Sequence, residues 1–344
     1  MRREDIGLEE AVGRPLAHDM TRIDAKKGTK GARFKRGQVL TVEDLPVLRE
    51  MGKEHVSILE LSPGEVHEDD AAGALCEALA GENCASSSPK EGRITITAGC
   101  DGLLIYDPAM VHAINEDPDW VLATMPPYRQ VGKGQPVAGF RIVPLAMEGA
   151  RVERAVSAAR RIDIKPFKPL RVGLVTTGLE LATGLIEDAF ADKFLRKISV
   201  FGGTLIGQRL VTDDPVLIAE AISAFIDDGA EAVVCTGGMS VDADDRTPGG
   251  IMRVASRVAF QGVPILPGSM LMLAWAASLS RGEIALIGAP ACVVHDERTS
   301  LDWLLPFIFA GEDSTPFVRR RGVGGLCERC SPCRWPSCSF SGAC

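Results

Sequence analysis

The sequence predicts an α/β protein in which a parallel sheet is flanked by helices, with a β-rich N-terminal region and a small cysteine-rich, metal-binding tail. Three observations support this prediction. Between residues 169 and 311, short apolar runs that end in glycine alternate with helical patterns, as in parallel sheets with crossover helices. Residues 92–148 carry short apolar runs separated by Gly, Pro and Asp. Five of the ten cysteines lie within residues 326–344.

The segments before the α/β part are expected to form smaller units. Residues 1–62 are expected to be an α+β region, because 34–40, 42–51 and 55–59 have the patterns of a strand, a helix and a strand. Residues 63–91 are rich in Ser, Pro and acidic residues and predict a linker around one helix at 70–79. Predicted strands at 94–97, 102–105, 121–124 and 142–145 favour a small barrel or sandwich for residues 92–148.

Within the α/β part, strands are predicted at 171–176, 197–201, 231–236, 263–266 and 283–287. One crossover helix should begin after a capping Asp214 with Pro215 in its first turn, and end at Gly229. A second helix is predicted between Ser269 and Gly282. Ligands of such sheets bind at the carboxyl ends of the strands. Four pairs of residues should converge there: Thr177 and Gly178, Gly237 and Gly238, Gly268 and Ser269, and Gly288 and Ala289.

Composition excludes several classes of protein. The net charge of −8 argues against a nucleic-acid partner, since duplex-binding surfaces concentrate Lys and Arg. The N-terminal residues lack the apolar core of a signal peptide, and the longest strongly apolar stretch, 270–279, is too short to span a bilayer. We therefore expect a cytoplasmic protein without a membrane partner.

The most informative stretch is 236–248, which follows the apolar run 232–235. Paired glycines, small hydroxyls, carboxylates and a Thr-Pro helix start predict a strand that opens into an anion-binding and metal-binding loop. Carboxylates beside an anion would repel it unless a hard cation such as Mg²⁺ lies between them. The alternative is that they are helix caps or solvated loop residues. The carboxylates concerned are Asp213, Asp214, Asp242, Asp244 and Asp245.

These residues resemble the molybdenum-cofactor biosynthesis domain shared by molybdopterin adenylyltransferases, molybdopterin molybdotransferases and competence-damage proteins. Residues 177–181 (Thr-Gly-Leu-Glu-Leu) resemble the Thr-Gly-Asp-Glu-Leu strand end of that family, and 211–214 resemble its Asp-containing loop. Residues 237–248 resemble its Gly-Gly signature, which ends in Asp-x-Thr. The signature is closer to the Gly-Gly-Val-Ser-Val pattern of molybdotransferases, and residues 10–17 resemble the start of those enzymes.

The resemblance implies a reaction and a set of site residues. Adenylated molybdopterin and molybdate would bind together, the metal would enter the dithiolene and AMP would leave. Asp245 would be the key catalytic carboxylate that places Mg²⁺, with Asp213 as its partner. The ligand-binding residues would be Thr177, Gly178, Glu180, Gly237, Gly238, Ser240, Thr247, Gly268, Ser269 and Gly288. The resemblance further implies a homo-oligomer and a molybdoenzyme client.

Three departures from the family pattern leave other functions open. Ser269 stands where the molybdotransferase pattern has Lys, Leu179 replaces Asp, and Ala291 and Cys292 replace Gly and Asn. A non-catalytic molybdopterin carrier or regulator would retain the pterin pocket without turnover. A nucleotide pyrophosphatase like the competence-damage proteins is the other alternative, because Asp244, Asp245 and Thr247 match their Asp-Asp-x-Thr.

The cysteines form two populations. Cys327, Cys330, Cys333 and Cys338 have spacings that could surround one metal centre, either an iron–sulfur cluster or structural zinc. A disulfide-stabilised tail is the alternative. Residues 319–325 are expected to be a flexible basic linker, so that the tail would move separately. Of the scattered cysteines, Cys235 is expected in the core and Cys292 on the ligand-binding rim.

Overall fold

The computed structural model describes residues 2–24, 29–178, 190–239, 245–278, 280, 282–338 and 340. None of the helices within these ranges combines the length and apolar character needed to cross a bilayer.

The N-terminal unit contains two antiparallel strand pairs and a helix around one small core. Its elements are β1 (Arg2–Gly7), β2 (Met20–Asp24), β3 (Thr29–Phe34), a 3-10 helix (Val42–Asp44), α1 (Leu45–Glu50) and β4 (His55–Glu60). β1 pairs with β4, and β2 pairs with β3. The strand predicted at 34–40 is wrong beyond Phe34, where Gly37 turns the chain with a φ of +73°. Phe34, Leu48 and Ile58 are fully buried in this core.

The middle of the chain forms a second core that joins helices and short antiparallel sheets. Its elements are β5 (Glu65–His67), α2 (Glu68–Leu79), β6 (Cys84–Ser86), β7 (Arg93–Ala98), β8 (Gly102–Ile105), α3 (Ala109–Asn115), β9 (Trp120–Thr124), β10 (Gln130–Val131), β11 (Pro136–Ile142), β12 (Ala146–Glu148), α4 (Gly149–Ala158) and β13 (Asp163–Pro166). The two larger sheets have the orders β6-β7-β11-β9 and β10-β8-β13.

Two expectations for this region need correction. The stretch 63–91 contains α2, whose Ala71, Leu75 and Leu79 are fully buried in the same core as β7 and β11, so this helix is packed rather than suspended in a linker. The strand predicted at 142–145 ends at Ile142. Helices α3 and α4 also contribute buried side chains, so the region is not formed by strands alone.

The C-terminal part contains a six-stranded mixed sheet flanked by helices, which confirms the predicted α/β fold class. Its elements are β14 (Arg171–Thr177), α5 (Phe190–Ser199), β15 (Thr204–Val211), α6 (Pro215–Asp227), β16 (Ala232–Thr236), α7 (Thr247–Val254), β17 (Arg257–Gln261), β18 (Met272–Ser278), β19 (Gly282–Ala289), α8 (Cys292–His295), α9 (Ser300–Ala310), α10 (Thr315–Val318) and a 3-10 helix (Arg319–Gly322). The strand order is β15-β14-β16-β19-β18-β17. The first four strands are parallel, whereas β18 and β17 are antiparallel to their neighbours.

The predicted crossover helix is confirmed as α6. The Asp214 carboxylate accepts a hydrogen bond of 2.7 Å from the Val216 backbone N–H, and Pro215 occupies the first turn. Ile218 and Ile222 are fully buried against the sheet. Asp214 therefore caps the helix, and the apolar residues bury one of its faces, as the sequence indicated.

Three other secondary-structure predictions for this part are wrong. Residues 197–201 are not a strand, because Phe190, Phe194 and Ile198 recur every four residues and bury one face of α5. Residues 263–266 form a loop with one isolated bridge at Leu266. The helix predicted after Ser269 is strand β18, which is buried on both faces and therefore lacks the polar alternation typical of a strand.

Candidate functional site

The carboxyl ends of the parallel strands lie along one edge of the sheet. β14, β15 and β16 end at Thr177, Val211 and Thr236, and β19 ends beside β16 at Ala289. β18 is antiparallel, so that its first residue, Met272, pairs with Gly288 near the end of β19. The loop before β18 therefore reaches the predicted rim, although it does not follow a parallel strand.

The Gly237 and Gly238 turn brings three predicted site residues together. Both glycines have positive φ, +93° and +52°, a region that L side chains rarely adopt. A Cβ atom on Gly238 would lie 2.7 Å from Asp213 Oδ1, 2.8 Å from Thr247 Oγ1 and 3.3 Å from Thr177 Oγ1. The sequence therefore needs glycine here, because polar groups from two neighbouring loops and from α7 occupy the space of a side chain.

Thr177 and Thr247 connect the first strand of the sheet to the helix after the turn. Their buried hydroxyl groups form a hydrogen bond of 3.1 Å, and the Thr247 backbone N–H donates to the Gly238 carbonyl oxygen at 3.1 Å. Thr177 is 3% exposed and Thr247 is 0% exposed. These bonds hold the turn in place, and of its two glycines only Gly238 is among the residues that line the cleft beside it.

A cleft of about 280 Å³ opens beside this turn. The residues that line it are Gly238, Met239, Asp245, Gly268, Ser269, Met270, Pro290, Ala291 and Cys292. Asp245 supplies the charged group, and among the described lining residues there is no Lys, Arg or His. The cleft thus combines close backbone approach, one carboxylate and one hydroxyl.

The loop at Gly268 is tightly packed against the start of α9. Gly268 has a φ of +108°, and a Cβ atom there would lie 3.0 Å from the Ser300 backbone nitrogen. The Ser300 N–H donates to the Pro267 carbonyl oxygen at 3.0 Å, and the Ser269 carbonyl oxygen accepts from the Val263 N–H at 2.7 Å. These bonds hold the backbone of Ser269 at the edge of the cleft that it lines.

The remaining predicted residues have different positions. Gly288 is buried below the rim and does not line the cleft; a Cβ atom there would lie 2.5 Å from Met239 Cε. Gly178 follows β14 and its N–H donates to the Val211 carbonyl oxygen at 3.1 Å. Glu180 and Ser240 lie outside the described residues.

Two residues that line the cleft, Met239 and Met270, were not identified by the sequence motifs, whereas a third, Cys292, was expected there. Met239 and Met270 each directly follow a predicted ligand-binding residue, so position in the chain is the signal that could have found them. Cys292 lies on the rim as expected, and burial and nearby Asp296 raise the pKa of its thiol. Cys235 is fully buried, as expected for a core thiol, and burial raises its pKa to about 12.

The four predicted tail thiols line a second cavity, of about 320 Å³. They share this cavity with His295, the last residue of α8, and with residues 296–298, which follow it. Within the described residues, no three Cys, His, Asp or Glu side chains come together to hold a single metal ion. The structure therefore gathers Cys327, Cys330, Cys333 and Cys338 around one space without forming the compact ligand set of one ion.

The tail does not form a separate module, because it packs on the α/β core. The Leu266 N–H donates to the Gly325 carbonyl oxygen at 2.7 Å, and the Cys327 N–H donates to the Leu266 carbonyl oxygen at 2.8 Å. Phe340 is 2% exposed within the main core. The predicted flexible linker is also wrong, since Arg319–Gly322 is a 3-10 helix. Its Arg321 is buried beside the rings of Tyr128 and Trp303, where cation–π attraction stabilises it.

Arg298 connects the tail cavity to the core. Its guanidinium lies 4.6 Å from the centre of the Trp335 ring and donates a hydrogen bond of 2.9 Å to Asp302. Burial lowers the pKa of Arg298, but Asp302 and the Cys333 thiol raise it, and the net pKa is above its usual value. A positive charge is therefore held next to Cys333.

Comparisons with known proteins identify two segments. The family described as "Probable molybdopterin binding domain" matches residues 173–310, and the "Domain of unknown function (DUF8806)" matches residues 5–60. A CinA-like protein of Syntrophus aciditrophicus is 36% identical over 84 residues, which are 24% of this chain and 20% of that protein. A molybdopterin molybdenumtransferase of Synechococcus elongatus is 26% identical over 180 residues, 50% of this chain and 42% of that protein. The chain thus spans less than half the length of these curated relatives.

Solved structures also match this part of the chain. The molybdopterin biosynthesis enzyme MoaB from Thermus thermophilus is 20% identical, covers 40% of this chain and 91% of its own, and has a TM-score of 0.35. The matched residues 173–310 contain β14 to α9 and therefore the whole cleft described above. Residues 173–310 of this chain thus form a domain that matches the molybdenum cofactor biosynthesis family, described as a probable molybdopterin binding domain.

Proposed function

We propose that this domain is molybdotransferase-like, inserting molybdate into adenylated molybdopterin with release of AMP. The observation that carries the proposal is the cleft lined by Gly238, Asp245 and Ser269, in which Gly238 also lies next to Asp213 and the paired threonines. The match to a molybdopterin molybdenumtransferase supports this branch of the family.

The charges in the cleft favour a cation-assisted reaction. A pterin phosphate or an adenylate is anionic, and Asp245 would repel it because the described lining has no basic side chain. Mg²⁺ fits such a site, since it commonly takes one or two carboxylates together with substrate oxygens. When bound, Mg²⁺ would neutralise phosphate charge and polarise the pyrophosphate. Asp245 would supply the carboxylate oxygen for this cation.

The other cleft residues would bind and orient the ligand. At Gly238 the missing side chain lets a phosphate approach the backbone closely, and the Ser269 hydroxyl can donate one hydrogen bond. Asp213 would help to fix the turn, because its carboxylate oxygen lies next to Gly238 together with the two threonine hydroxyl groups. Asp245 would also orient the water that attacks the adenylate phosphorus, so that AMP leaves and the pterin keeps its phosphate.

The test is AMP release from adenylated molybdopterin by anaerobically purified protein, with Mg²⁺ present and with molybdate added or withheld. We expect molybdate-dependent release that Asp245→Asn abolishes. The matched control is Asp227→Asn at the exposed C-terminal end of α6, which should keep full activity. Unchanged activity in Asp245→Asn would remove Asp245 from the mechanism.

Two other functions each have a supporting observation. A molybdopterin carrier or regulator is supported by Ser269, because the cleft lacks the cation that the molybdotransferase pattern places there. It would bind the pterin tightly without releasing AMP. A nucleotide pyrophosphatase is supported by the 36% identity to a CinA-like protein. It would hydrolyse a nucleotide pyrophosphate in the absence of any pterin.

The same proposal includes an accessory metal centre, iron–sulfur or zinc, on the four tail thiols. It also includes a cytoplasmic homo-oligomer that delivers its product to a molybdoenzyme client. Size-exclusion chromatography with light scattering would measure the oligomeric state.

A further inference from the structure

We infer that Cys327, Cys330, Cys333 and Cys338 bind a four-iron, four-sulfide cluster that is seated against the molybdopterin-binding domain, one helical turn from its cleft. This inference deepens the accessory metal centre and rests on that part of the proposed function. It is independent of the reaction in the cleft.

The arrangement of the thiols favours a cluster over a single ion. Zinc binds four sulfur atoms at about 2.3 Å, which brings the sulfurs within about 4 Å of each other. No such grouping exists among the described residues, yet all four thiols border one cavity of about 320 Å³. The four thiolates of a four-iron cluster are instead spread around a bulky inorganic core of iron and sulfide. The cavity has the room that such a core needs.

Two residues that line this cavity carry a buried N–H without a hydrogen-bond partner among the described residues. These groups are Arg298 Nε and Trp335 Nε1, and the two residues also border the neighbouring cavity beside α5. A buried N–H without a partner costs about 1–3 kcal/mol. Sulfide and thiolate sulfurs accept hydrogen bonds, and such bonds help to set the reduction potential of a cluster. A cluster would therefore satisfy donors that the protein alone leaves unpaired.

Positive charges lie beside the thiols. Arg298, Arg329 and Arg334 line the same cavity as the four cysteines. Arg298 is held there by its contact with the Trp335 ring, at 4.6 Å, and by its 2.9 Å hydrogen bond to Asp302. Four thiolates give a cluster a net negative charge, and a nearby guanidinium offsets part of it.

The tail is held in place before any cluster binds. Arg329 pairs with Asp296 at 3.1 Å, and Cys327 donates through its backbone to Leu266. Phe340, which follows the last of the four thiols, is buried in the main core. The ligand loop is thus fixed at both ends, which lowers the entropic cost of gathering four ligands.

A short helix connects the tail cavity to the cleft. Cys292, the first residue of α8, lines the cleft, and His295, its last residue, lines the tail cavity. Four helical residues span about 6 Å. A cluster bound by the tail would therefore lie within electron-transfer distance of a ligand in the cleft, and its loss should disturb the wall formed by α8.

The experiment uses the full chain, purified without oxygen and with iron and sulfide reconstitution as a second arm. Iron, acid-labile sulfide and zinc are measured per chain, and the dithionite-reduced protein is studied by electron paramagnetic resonance. We expect about four iron and four sulfide atoms per chain. The double variant Cys330→Ser/Cys333→Ser should lose them, whereas the control Cys100→Ser, in the middle region, should keep them.

A second variant tests the donor role without removing a ligand. Trp335→Phe keeps the ring but removes the N–H, so it should retain its iron and shift the reduction potential downward. One zinc atom per chain without labile sulfide, or no metal after reconstitution, would overturn the inference. Because these readouts do not depend on AMP release, a failure of the proposed reaction would leave them unaffected.

Discussion

Gly237→Ala tests whether the turn above Thr177 has the geometry described. The new Cβ would lie 2.6 Å from Thr177 Oγ1 and would also press on the Thr177 carbonyl oxygen. That carbonyl cannot swing away, because Thr177 pairs with Val211 at the end of β14 and the Gly178 N–H donates to the Val211 carbonyl oxygen. The φ of +93° adds backbone strain for any L residue.

The expected cost follows from these two effects. A left-handed backbone conformation costs roughly 1–2 kcal/mol for alanine, and overpacking a tight site costs roughly 1–3 kcal/mol. Gly237→Ala should therefore lose about 2–5 kcal/mol of unfolding free energy. At about 2–4 °C per kcal/mol for domains of 150–250 residues, the melting temperature should fall by roughly 4–20 °C.

The assay is thermal unfolding followed by circular dichroism, with Gly249→Ala as the matched control. Gly249 lies inside α7, and a Cβ there would meet only Pro215, at 3.9 Å. Alanine in a helix interior is favoured over glycine by roughly 0.5–1 kcal/mol, so this control should match or exceed the wild-type melting temperature. Equal melting temperatures for the two variants would refute the description of the turn.

Two further predictions concern buried charges. Asp302→Ala should lower the free energy of unfolding, measured in urea, by about 3–5 kcal/mol. It removes the carboxylate that lies 2.6 Å from the Lys197 ammonium nitrogen and leaves that buried charge without its ion-pair partner. Lys197→Met should cost less, because Arg298 still pairs with Asp302 at 2.9 Å; equal losses would contradict this account. Burial raises the pKa of Glu68 to about 7. Between about pH 4.5 and 7, the folded state therefore keeps a proton that the unfolded state has released. The free energy of unfolding falls as the pH rises through this window. Glu68→Gln should remove this loss, so the melting temperatures of the variant and the wild type should diverge between pH 5 and pH 8. If the two melting temperatures change in parallel with pH, the pKa of the Glu68 carboxyl group is not raised.

Several features followed from local sequence signals. Asp214, Pro215 and the apolar spacing of α6 predicted a helix that the structure contains, because capping and periodicity act within a few residues of each other. The site at the carboxyl ends of β14 and β16 was also predictable. Parallel strands end at one edge of a sheet, and the paired glycines directly follow one of those ends.

Other features required the tertiary structure. β18 is apolar on both faces, so its sequence has no alternation to distinguish it from a buried helix, and only its pairing with β19 decides the outcome. The end of α5 has a short apolar run that resembles a strand in the sequence. In the structure Phe190, Phe194 and Ile198 are buried on one face, which identifies the segment as a helix.

Some features of the cysteine tail were also predictable from the sequence, and others required the tertiary structure. The spacing of Cys327, Cys330, Cys333 and Cys338 predicted a common centre, because residues close in the chain are close in space. The sequence could not predict the burial of Phe340 in the main core or the contact between Arg298 and the Trp335 ring. These contacts join residues far apart in the chain or depend on the packing of the whole domain. Local patterns thus determined where the candidate site residues lie along the chain, and long-range burial decided which of them line a common cavity.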